Sequence, residues 1–473
     1  MILTAGFSSI MSADKPASVL GDTIYVDDDG GADFTHIQNA IDAANPGDTI
    51  FVYAGTYMEN LVIDKSLSLT GEDKENTIIE GGGNGPVILS NELVNVSISD
   101  FTITNNFMDY GIYTSGGESE EQVSITNNNF CNISRYAILL TGTSCSVVSN
   151  NVIYDCNGGI FLRSNSNHNI IDGNTIFNFV KDSSKGYYNK GVLLDSSEHN
   201  IISNNEISFS PDVGISMSAP GRITSNNIVR SNKVINCLAG VSLQFAENNQ
   251  FYENLFLSND YGCYLNTCQG NVVYQNDFID NGVQGFEEES TGLNQWYNES
   301  LQKGNFWDDY VGSDADSNGI GDSPYDIMGN AGNEDSYPLM VPFNDINFPP
   351  SDPSVYGPAN GKIEEEYSYS VCSSDFNDDD VYYLINWGDG ISTGWKGPYE
   401  SGVEQSFSHT WFDKGDFTVR VQCKDDGGLL SDWTNLPVTM PKRKEVSLGV
   451  FDLFLNLLEN FPFLHFIGTV FSV

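Results

Sequence analysis

The sequence is short of basic residues. Its 473 residues include 20 Lys and Arg against 64 Asp and Glu, which gives a formal net charge of −44 at pH 7. A field of this sign repels nucleic acid and anionic lipid headgroups, so neither is expected as a partner, and it attracts cations, calcium above all. The acidic residues are spread along the chain and 12% of the residues are aromatic, which argues against a disordered polyanion.

Two other absences narrow the class of protein. None of the eight cysteines forms a paired C-x-x-C motif, so the usual spacings of zinc ligands and redox centres are missing. Residues 90–285 lack the apolar periodicity of amphipathic helices, which argues against repeats that contain a helix, such as leucine-rich repeats. Most of the cysteines are therefore expected to be small, buried core residues.

The two ends of the chain have the composition of targeting segments. Residues 1–21 look like the remnant of a secretory signal that lacks a positively charged start, with an N-terminal strand as the alternative. Residues 442–473 form a hydrophobic tail, but two acidic residues and Pro462 interrupt it, so it is a poor transmembrane helix. We expect an exported protein whose tail attaches it to a membrane or cell surface, or packs on the domain before it.

An internal repeat fills the middle of the chain. The pattern apolar-x-x-Asn-x-apolar recurs at intervals of 22 to 31 residues, with its asparagines at Asn128, Asn151, Asn174, Asn205, Asn232, Asn254 and Asn276. A second column precedes the first by five residues, at Asn169, Asn200, Asn227, Asn249 and Asn271. Pairs of a small and an apolar residue, mostly Gly followed by Ile or Val, recur once in each repeat unit, as the asparagines of both columns do.

These units predict a solenoid of short strands. Alternating apolar residues separated by Asn, Gly, Ser and Asp indicate strands and tight turns, and one such unit cannot bury its apolar face alone. Stacked asparagines can pass amide hydrogen bonds from coil to coil, and asparagine tolerates a left-handed backbone. We therefore predict a parallel β-helix over residues 22–300, with an amphipathic capping helix at residues 33–44.

The N-terminal coils and the repeat resemble known β-helix families. Residues 33–57, DFTHIQNAIDAANPGDTIFVYAGTY, look like the opening of pectin-lyase-like proteins, and the Asn and Gly-Ile coils resemble carbohydrate-binding and sugar-hydrolase repeats, including NosD-type proteins. Residues 304–310, GNFWDDY, and 335–339, DSYPL, are similar to the closing signature of this group in archaeal surface proteins, so residues 301–345 are assigned as a closing segment. The resemblance implies a right-handed β-helix.

The same resemblance leaves the activity open. Pectate lyases and their relatives carry clustered Asp, Arg and His on one face, and none of those signatures matches a position here. The main interpretation is a non-catalytic protein that binds carbohydrate or surface partners. A polysaccharide lyase or glycoside hydrolase is the alternative, since two well-placed carboxylates suffice for glycoside hydrolysis. A NosD-type metal-site accessory protein is the second alternative.

An acidic loop in the closing segment predicts a calcium site. Oxygen-bearing side chains at relative positions 1, 3, 5 and 9 with Gly at position 6 follow the first part of an EF-hand loop, in which position 7 offers its carbonyl. The residues concerned are Asp314, Asp316, Asn318, Ile320 and Asp322. Position 12 is Tyr325 instead of the bidentate Glu, and the alternative is an acidic turn.

In the repeat, His168 and His199 occupy one column, either as a metal pair or as exposed turn residues.

Two insertions mark a candidate carbohydrate-binding face. The step from Asn174 to Gly191 is longer than in other coils, and that from Gly214 to Asn232 also gains residues. Aromatic rings stack on sugar faces and cationic groups pair with uronate carboxylates, so these insertions predict a groove for an acidic glycan. Its residues are Lys181, Lys185, Tyr187, Tyr188, Lys190 and Arg222.

A second domain follows a Pro-rich break. Residues 387–390, WGDG, and the later His409-Thr410-Trp411 resemble the polycystic-kidney-disease (PKD) domain, an immunoglobulin-like β-sandwich of extracellular proteins, over residues 351–441. Cys372 and Cys423 are expected on opposite sheets, where they could form a disulfide. The sequence thus predicts an all-β, secreted or cell-surface protein: a parallel β-helix followed by a PKD-like sandwich, with a polysaccharide or surface glycoprotein as partner.

Overall fold

A computed structural model describes most of the chain. The described residues are 21–82, 85–91, 94–105, 109–116, 122–180, 189–218, 224–290, 294–344, 347, 349–375 and 379–440. Residues 1–20 and the tail from 441 onward, where the signal remnant and surface attachment were predicted, lie outside them. The chain divides into two compact units, Met1–Asn344 and Asp345–Val473.

The first unit is a parallel β-helix whose strands form three long sheets. The first sheet contains strands Thr23–Val26, Thr49–Val52, Leu67–Gly71, Val96–Ser99, Val123–Thr126, Val147–Ser149, Ile170–Asp172, Ile201–Ser203, Ile228–Arg230, Gln250–Tyr252 and Val272–Tyr274. The second contains Gly55–Met58, Thr77–Glu80, Thr102–Thr104, Asn129–Cys131, Val152–Tyr154, Thr175–Phe177, Glu206–Ser208, Lys233–Ile235, Leu255–Leu257, Asp277–Ile279 and Phe306–Trp307. The third contains Leu61–Ile63, Ile88–Asn91, Ile112–Ser115, Tyr136–Thr141, Gly158–Arg163, Val192–Asp195, Val213–Ser218, Ala239–Gln244, Tyr261–Asn266, Val283–Glu288 and Met328–Gly329.

Short strand pairs complete the unit. Thr224–Ser225 pairs in parallel with Ala246–Glu247, and Tyr325–Asp326 pairs antiparallel with Glu334–Asp335 in the closing segment. The predicted all-β architecture is confirmed.

The core is a stack of inward-facing aliphatic residues. Ile125, Ile138 and Ile160 are fully buried and belong to one continuous cluster that runs through the coils. Burying such a side chain contributes about 1.5–3 kcal/mol, and each coil supplies several. The repeated glycines permit this close stacking, since a Cβ added to Gly159 would lie 2.2 Å from the carbonyl oxygen of Gly191 in the next coil.

The first asparagine column forms the predicted ladder. It lies at the corner between the first and second sheets, and each Nδ2 donates to the Oδ1 of the asparagine in the next coil at 2.8–3.1 Å. The column continues beyond its predicted end at Asn276 to Asn305. The ladder asparagines themselves do not have positive φ, contrary to expectation. The left-handed backbone is found at the residue before them, as at Asn150 and Asn204, which both have φ of 55°.

The second column forms a ladder at the corner between the third and first sheets. Its rungs from Asn169 onward are joined by bonds of 3.0 Å and end at Asn294. Each ladder ends on a buried carboxylate. Asn294 donates to Glu287, and the backbone N–H of Asn305 donates to Asp335. A carboxylate can close a ladder because it accepts hydrogen bonds and needs no further acceptor.

The predicted capping helix is present as Ile37–Ala43. Its buried residues Ile37, Ala40 and Ile41 pack on the open end of the first coils. The Glu59 carboxylate accepts hydrogen bonds from the backbone N–H groups of Ile37 and Gln38, both at 2.9 Å, and so satisfies donors of the first turn.

The second unit is a β-sandwich. One sheet holds Ser354–Tyr356, Glu366–Cys372 and Gln405–Thr410, and the other holds Val381–Asn386, Ser392–Tyr399, Gly415–Asp425 and Thr434–Met440. The signature residues form its core, where the His409 ring stacks on Trp387 with centroids 4.7 Å apart and its Nε2 lies 2.7 Å from the Asp389 carboxylate. Cys372 and Cys423 lie on opposite sheets as predicted. Both are free thiols, with Cys372 directed at the carbonyl of Gly402 at 3.3 Å.

Candidate functional site

Aromatic and arginine side chains gather on the outer face of the third sheet. In its strands Ile112–Ser115, Tyr136–Thr141 and Gly158–Arg163, alternate residues face away from the core cluster. Parallel pairing places these outward residues in register, with Tyr113 beside Leu139 and Leu139 beside Phe161. Tyr110 and Arg135 lie in the turns before the first two of these strands, and the buried Tyr136 ring packs against Phe161. We call the surface formed by Tyr110, Tyr113, Arg135, Phe161 and Arg163 the arginine wall.

The arginine wall holds its cations against rings. The guanidinium of Arg135 lies 5.1 Å from the centroid of Tyr110, and that of Arg163 lies 5.7 Å from the centroid of Phe161. Arg163 is exposed, whereas Arg135 is half-buried. On a chain with 20 basic and 64 acidic residues, these two arginines concentrate positive charge on one aromatic face, and parallel pairing places Asp195 beside Arg163.

The predicted insertions flank the same sheet. The first insertion leads into strand Val192–Asp195, and the second leaves strand Val213–Ser218. Lys181, Lys185, Tyr187, Tyr188 and Arg222 lie outside the described residues. Lys190 is described, but its Nζ lies 2.5 Å from the Asp212 carboxylate and only 18% of its side chain is exposed. Lys190 therefore has a partner within the chain, and this ion pair was not expected from the sequence.

A second aromatic group lies further along the third sheet. The rings of Tyr264 and Phe286 stack at 5.4 Å with an interplanar angle of 1°, and Tyr261 packs edge-on against both. Tyr264 also bonds to the carboxylate of Glu288. Sequence reasoning missed both aromatic groups. The available signal was the alternation of inward aliphatic and outward aromatic residues within each strand.

The acidic loop adopts the turn that its motif predicts. Gly319 has φ of 81°, and the Asp314 carboxylate accepts hydrogen bonds from the backbone N–H groups of Gly319 at 2.8 Å and Asn318 at 3.1 Å. The Asp322 carboxylate binds Ser313 Oγ and the backbone N–H of Ala315. Throughout the described ranges, no three His, Cys, Asp or Glu side chains are grouped as metal ligands. Calcium binding by this loop therefore stays a prediction.

That prediction has a direct thermodynamic test. Calcium at about ten times its dissociation constant should raise the free energy of unfolding by about 1.4 kcal/mol, because a ligand of the native state stabilises it. Asp316→Asn should abolish this gain, whereas Asp413→Asn, at an exposed position of the second unit, should keep it. Thermal melts with millimolar calcium, against sodium chloride of equal ionic strength, make the measurement. No calcium-dependent shift in the unsubstituted protein would contradict the prediction.

The two column histidines stack face to face. The rings of His168 and His199 are 4.9 Å apart at 20°, and both residues have the left-handed φ of a coil corner, 58° and 57°. His199 Nδ1 lies 3.9 Å from the neighbouring Glu198 carboxylate. This geometry agrees with the turn interpretation, and no third ligand joins the pair in the described part of the chain.

Comparison with known proteins settles the family. A family model described as periplasmic copper-binding protein (NosD) matches residues 41–219 and 178–312, which together exceed half of the chain. The chain belongs to the NosD family. A PKD domain model matches residues 356–438 of this NosD-family chain, in the second unit. No curated protein sequence matches it.

Solved structures are similar to each unit. The PKD domain of an M14-like peptidase from a Thermoplasmatales archaeon is 48% identical, and the match covers 20% of this chain and 100% of that chain with a TM-score of 0.20. The A-module of an Azotobacter vinelandii mannuronan C-5 epimerase is 14% identical over 57% of this chain and 88% of its own, with a TM-score of 0.44. An alginate lyase from Paenibacillus is 15% identical over 59% and 98%, with a TM-score of 0.36.

Copper, which the family description implies, does not fit the described residues. Copper(I) prefers thiolate and thioether ligands, and copper sites combine these with histidine. Cys237 and Cys268 are enclosed in the core cluster, where burial raises the pKa of their thiols to about 12 and about 11. His409 is held by Asp389, and the stacked histidine pair has no third ligand among these residues.

Proposed function

We propose that this protein is exported to the cell surface and binds acidic carbohydrate on the arginine wall, without catalysis. The observation that carries the proposal is the pair of ring-backed arginines on one face of a strongly acidic chain. Guanidinium groups bind carboxylates in bidentate geometry, and aromatic rings cover the apolar faces of sugars. Membership of a family described as periplasmic, and a PKD domain, support export.

The glycan interaction is tested by retention of the protein on an acidic polysaccharide. Arg163→Ala should weaken binding to polygalacturonate or alginate about tenfold, because a hydrogen bond to a charged group contributes about 1.5–3 kcal/mol. Arg230→Ala is the matched control, since this arginine lies on the first sheet beside Tyr252. Changing Tyr187 and Tyr188 to Ala tests the insertion in the same assay. Equal retention of Arg163→Ala and Arg230→Ala would contradict a role for the wall.

Catalysis is the alternative function, and it can be tested with the same polysaccharides. The similar epimerase and lyase structures share only the fold with this chain at their low identities. Incubation with the same polysaccharides, followed by assays for unsaturated uronates and new reducing ends, separates binding from lysis and hydrolysis. Product formation by the unsubstituted protein would replace the proposed binding function with an enzymatic one.

The route of surface attachment is a separate question. None of the helices in the described part of the chain has the length and apolar character to traverse a bilayer. We propose that the hydrophobic tail from residue 442 supplies attachment, so that its removal releases the protein into the medium. Fractionation of cells that express the full and shortened chains measures this.

A further inference from the structure

A polar cleft opens between residues 294–297 and the closing segment of the β-helix. It has a volume of about 400 Å³ and is lined by Asn294, Gln295, Tyr297, Asn333, Glu334 and Ser336. Gly332 completes the lining, and a side chain added there would meet nothing within 4 Å. A cleft of this size can hold a small ligand.

A buried carboxylate beneath the cleft holds two of the lining amides. Glu287 is 1% exposed, and its oxygens accept hydrogen bonds from Nδ2 of Asn294 at 2.7 Å and Nδ2 of Asn333 at 2.8 Å. It also accepts the indole N–H of Trp296 at 2.8 Å, and this residue directly precedes Tyr297. The polar side of the cleft is therefore fixed before any ligand arrives.

The aromatic side is held as well. The Tyr297 ring packs edge-on against Tyr337, with centroids 5.3 Å apart. Hydrogen bonds between the backbones of Asn298 and Lys303 close the turn that follows. Tyr297 is half-buried, so part of its ring can contact a ligand in the cleft.

The lining selects the chemistry of that ligand. Amide, hydroxyl and carboxylate groups offer hydrogen bonds to hydroxyl groups, and the Tyr297 ring offers an apolar face. Neither Lys nor Arg is among the lining residues, whereas the exposed Glu334 carboxylate repels anions. This is the reverse of the arginine wall, whose cations suit an acidic glycan.

We propose that this cleft binds one neutral sugar unit, with a face of the pyranose ring on Tyr297 and its hydroxyls on Gln295, Glu334 and Ser336. The cleft contains no residue of the arginine wall, so the two sites can fail separately.

The test is a titration of the full chain with methyl glycosides of glucose, galactose and mannose, observed by saturation-transfer NMR. At least one should bind, and methyl glucuronide should bind more weakly. Tyr297→Ala should raise the dissociation constant about five- to tenfold, which corresponds to the loss of about 1–1.4 kcal/mol and lies within the range of an aromatic contact. Tyr297→Phe, which keeps the ring, should stay within about twofold.

Controls keep the result specific to the cleft. Tyr356→Ala removes an exposed tyrosine of the second unit and should leave the titration unchanged. Arg163→Ala should also leave it unchanged, which separates this site from the wall. The proposal is overturned if none of the three glycosides binds, if the glucuronide binds as tightly as the neutral sugars, or if Tyr297→Ala binds like the unsubstituted protein with an unchanged melting temperature.

Discussion

Asn205→Ala, in the middle of the first ladder, is expected to lower the free energy of unfolding of the β-helix by about 4 kcal/mol. Asn205 is 1% exposed, and its Oδ1 accepts hydrogen bonds from the backbone N–H and the Nδ2 of Asn174, both at 2.9 Å. Its own Nδ2 donates to the carbonyl of Ile171 and to Oδ1 of Asn232. Alanine would leave these groups buried without the Asn205 amide as their partner, and each unsatisfied group costs about 1–3 kcal/mol.

The preceding residue supplies a matched control. Asn204 is exposed, and its Nδ2 bonds to the Asp172 carboxylate at 2.7 Å. Its φ of 55° suits glycine, so Asn204→Gly removes an amide from the same turn without backbone strain. Urea denaturation followed by circular dichroism should show a large loss for Asn205→Ala and less than about 1 kcal/mol for Asn204→Gly. Similar losses for both would show that the ladder is not the source of stability.

The repeat was readable from the sequence because many residues carry it together. Each ladder asparagine recurs with the same apolar neighbours, so one degenerate coil does not hide the period. The capping helix and the sandwich were predicted for the same reason, since residues 33–44 and the signature around Trp387 hold several agreeing features. Cys156 and Cys263 are buried core residues, as the repeat implied.

The ends of the ladders could not be predicted by period alone. Asn305 follows Asn276 after 29 residues, across a region where the strand pattern weakens. The terminal acceptors come from elsewhere in the chain, and Asp335 reaches Asn305 across 30 residues. Glu287 did leave a signal, because it takes an inward position in strand Val283–Glu288 where an apolar residue is the rule.

The arginine wall was missed because sequence reasoning followed insertions. Arg135 and Arg163 lie in separate coils, and each alone is an ordinary polar residue near the end of a strand or turn. Only parallel pairing brings their strands side by side, with Tyr136 opposite Gly158 and Thr141 opposite Arg163. The polar cleft was hidden for a similar reason, since its lining comes from two segments that the closing strands bring together.

The second large effect expected in this molecule is a pH dependence that arises at Asp335. This carboxylate is fully buried and accepts hydrogen bonds from the Trp307 indole at 2.9 Å and from the backbone N–H groups of Asn305 and Tyr337. Burial raises the pKa of Asp335 from its ordinary value to about 6, although these hydrogen bonds act in the opposite direction.

The direction of the effect follows from where the proton binds. The folded-state pKa of Asp335 exceeds its unfolded-state pKa. At pH values between these two pKa values the folded protein therefore binds more protons than the unfolded protein, and its free energy of unfolding falls as the pH rises. With a shift of about two pH units, the whole contribution is about 3 kcal/mol, and about 2 kcal/mol of it is lost between about pH 4 and pH 6. The stabilising contribution of the protonated carboxyl is complete below the unfolded-state pKa and is lost above the folded-state pKa.

Asp335→Asn isolates this contribution, because asparagine keeps an acceptor oxygen but does not titrate. Burial also raises the pKa of Asp277 and Asp308, and acid relieves repulsion along the whole acidic chain. Both effects remain in the variant and cancel in the comparison. Urea midpoints at pH 4.5 and 6.5 should therefore differ more for the unsubstituted protein than for Asp335→Asn. Equal differences in the two proteins would mean that Asp335 is ionised throughout this range, and that closing the ladder on a carboxylate has no cost in stability at neutral pH.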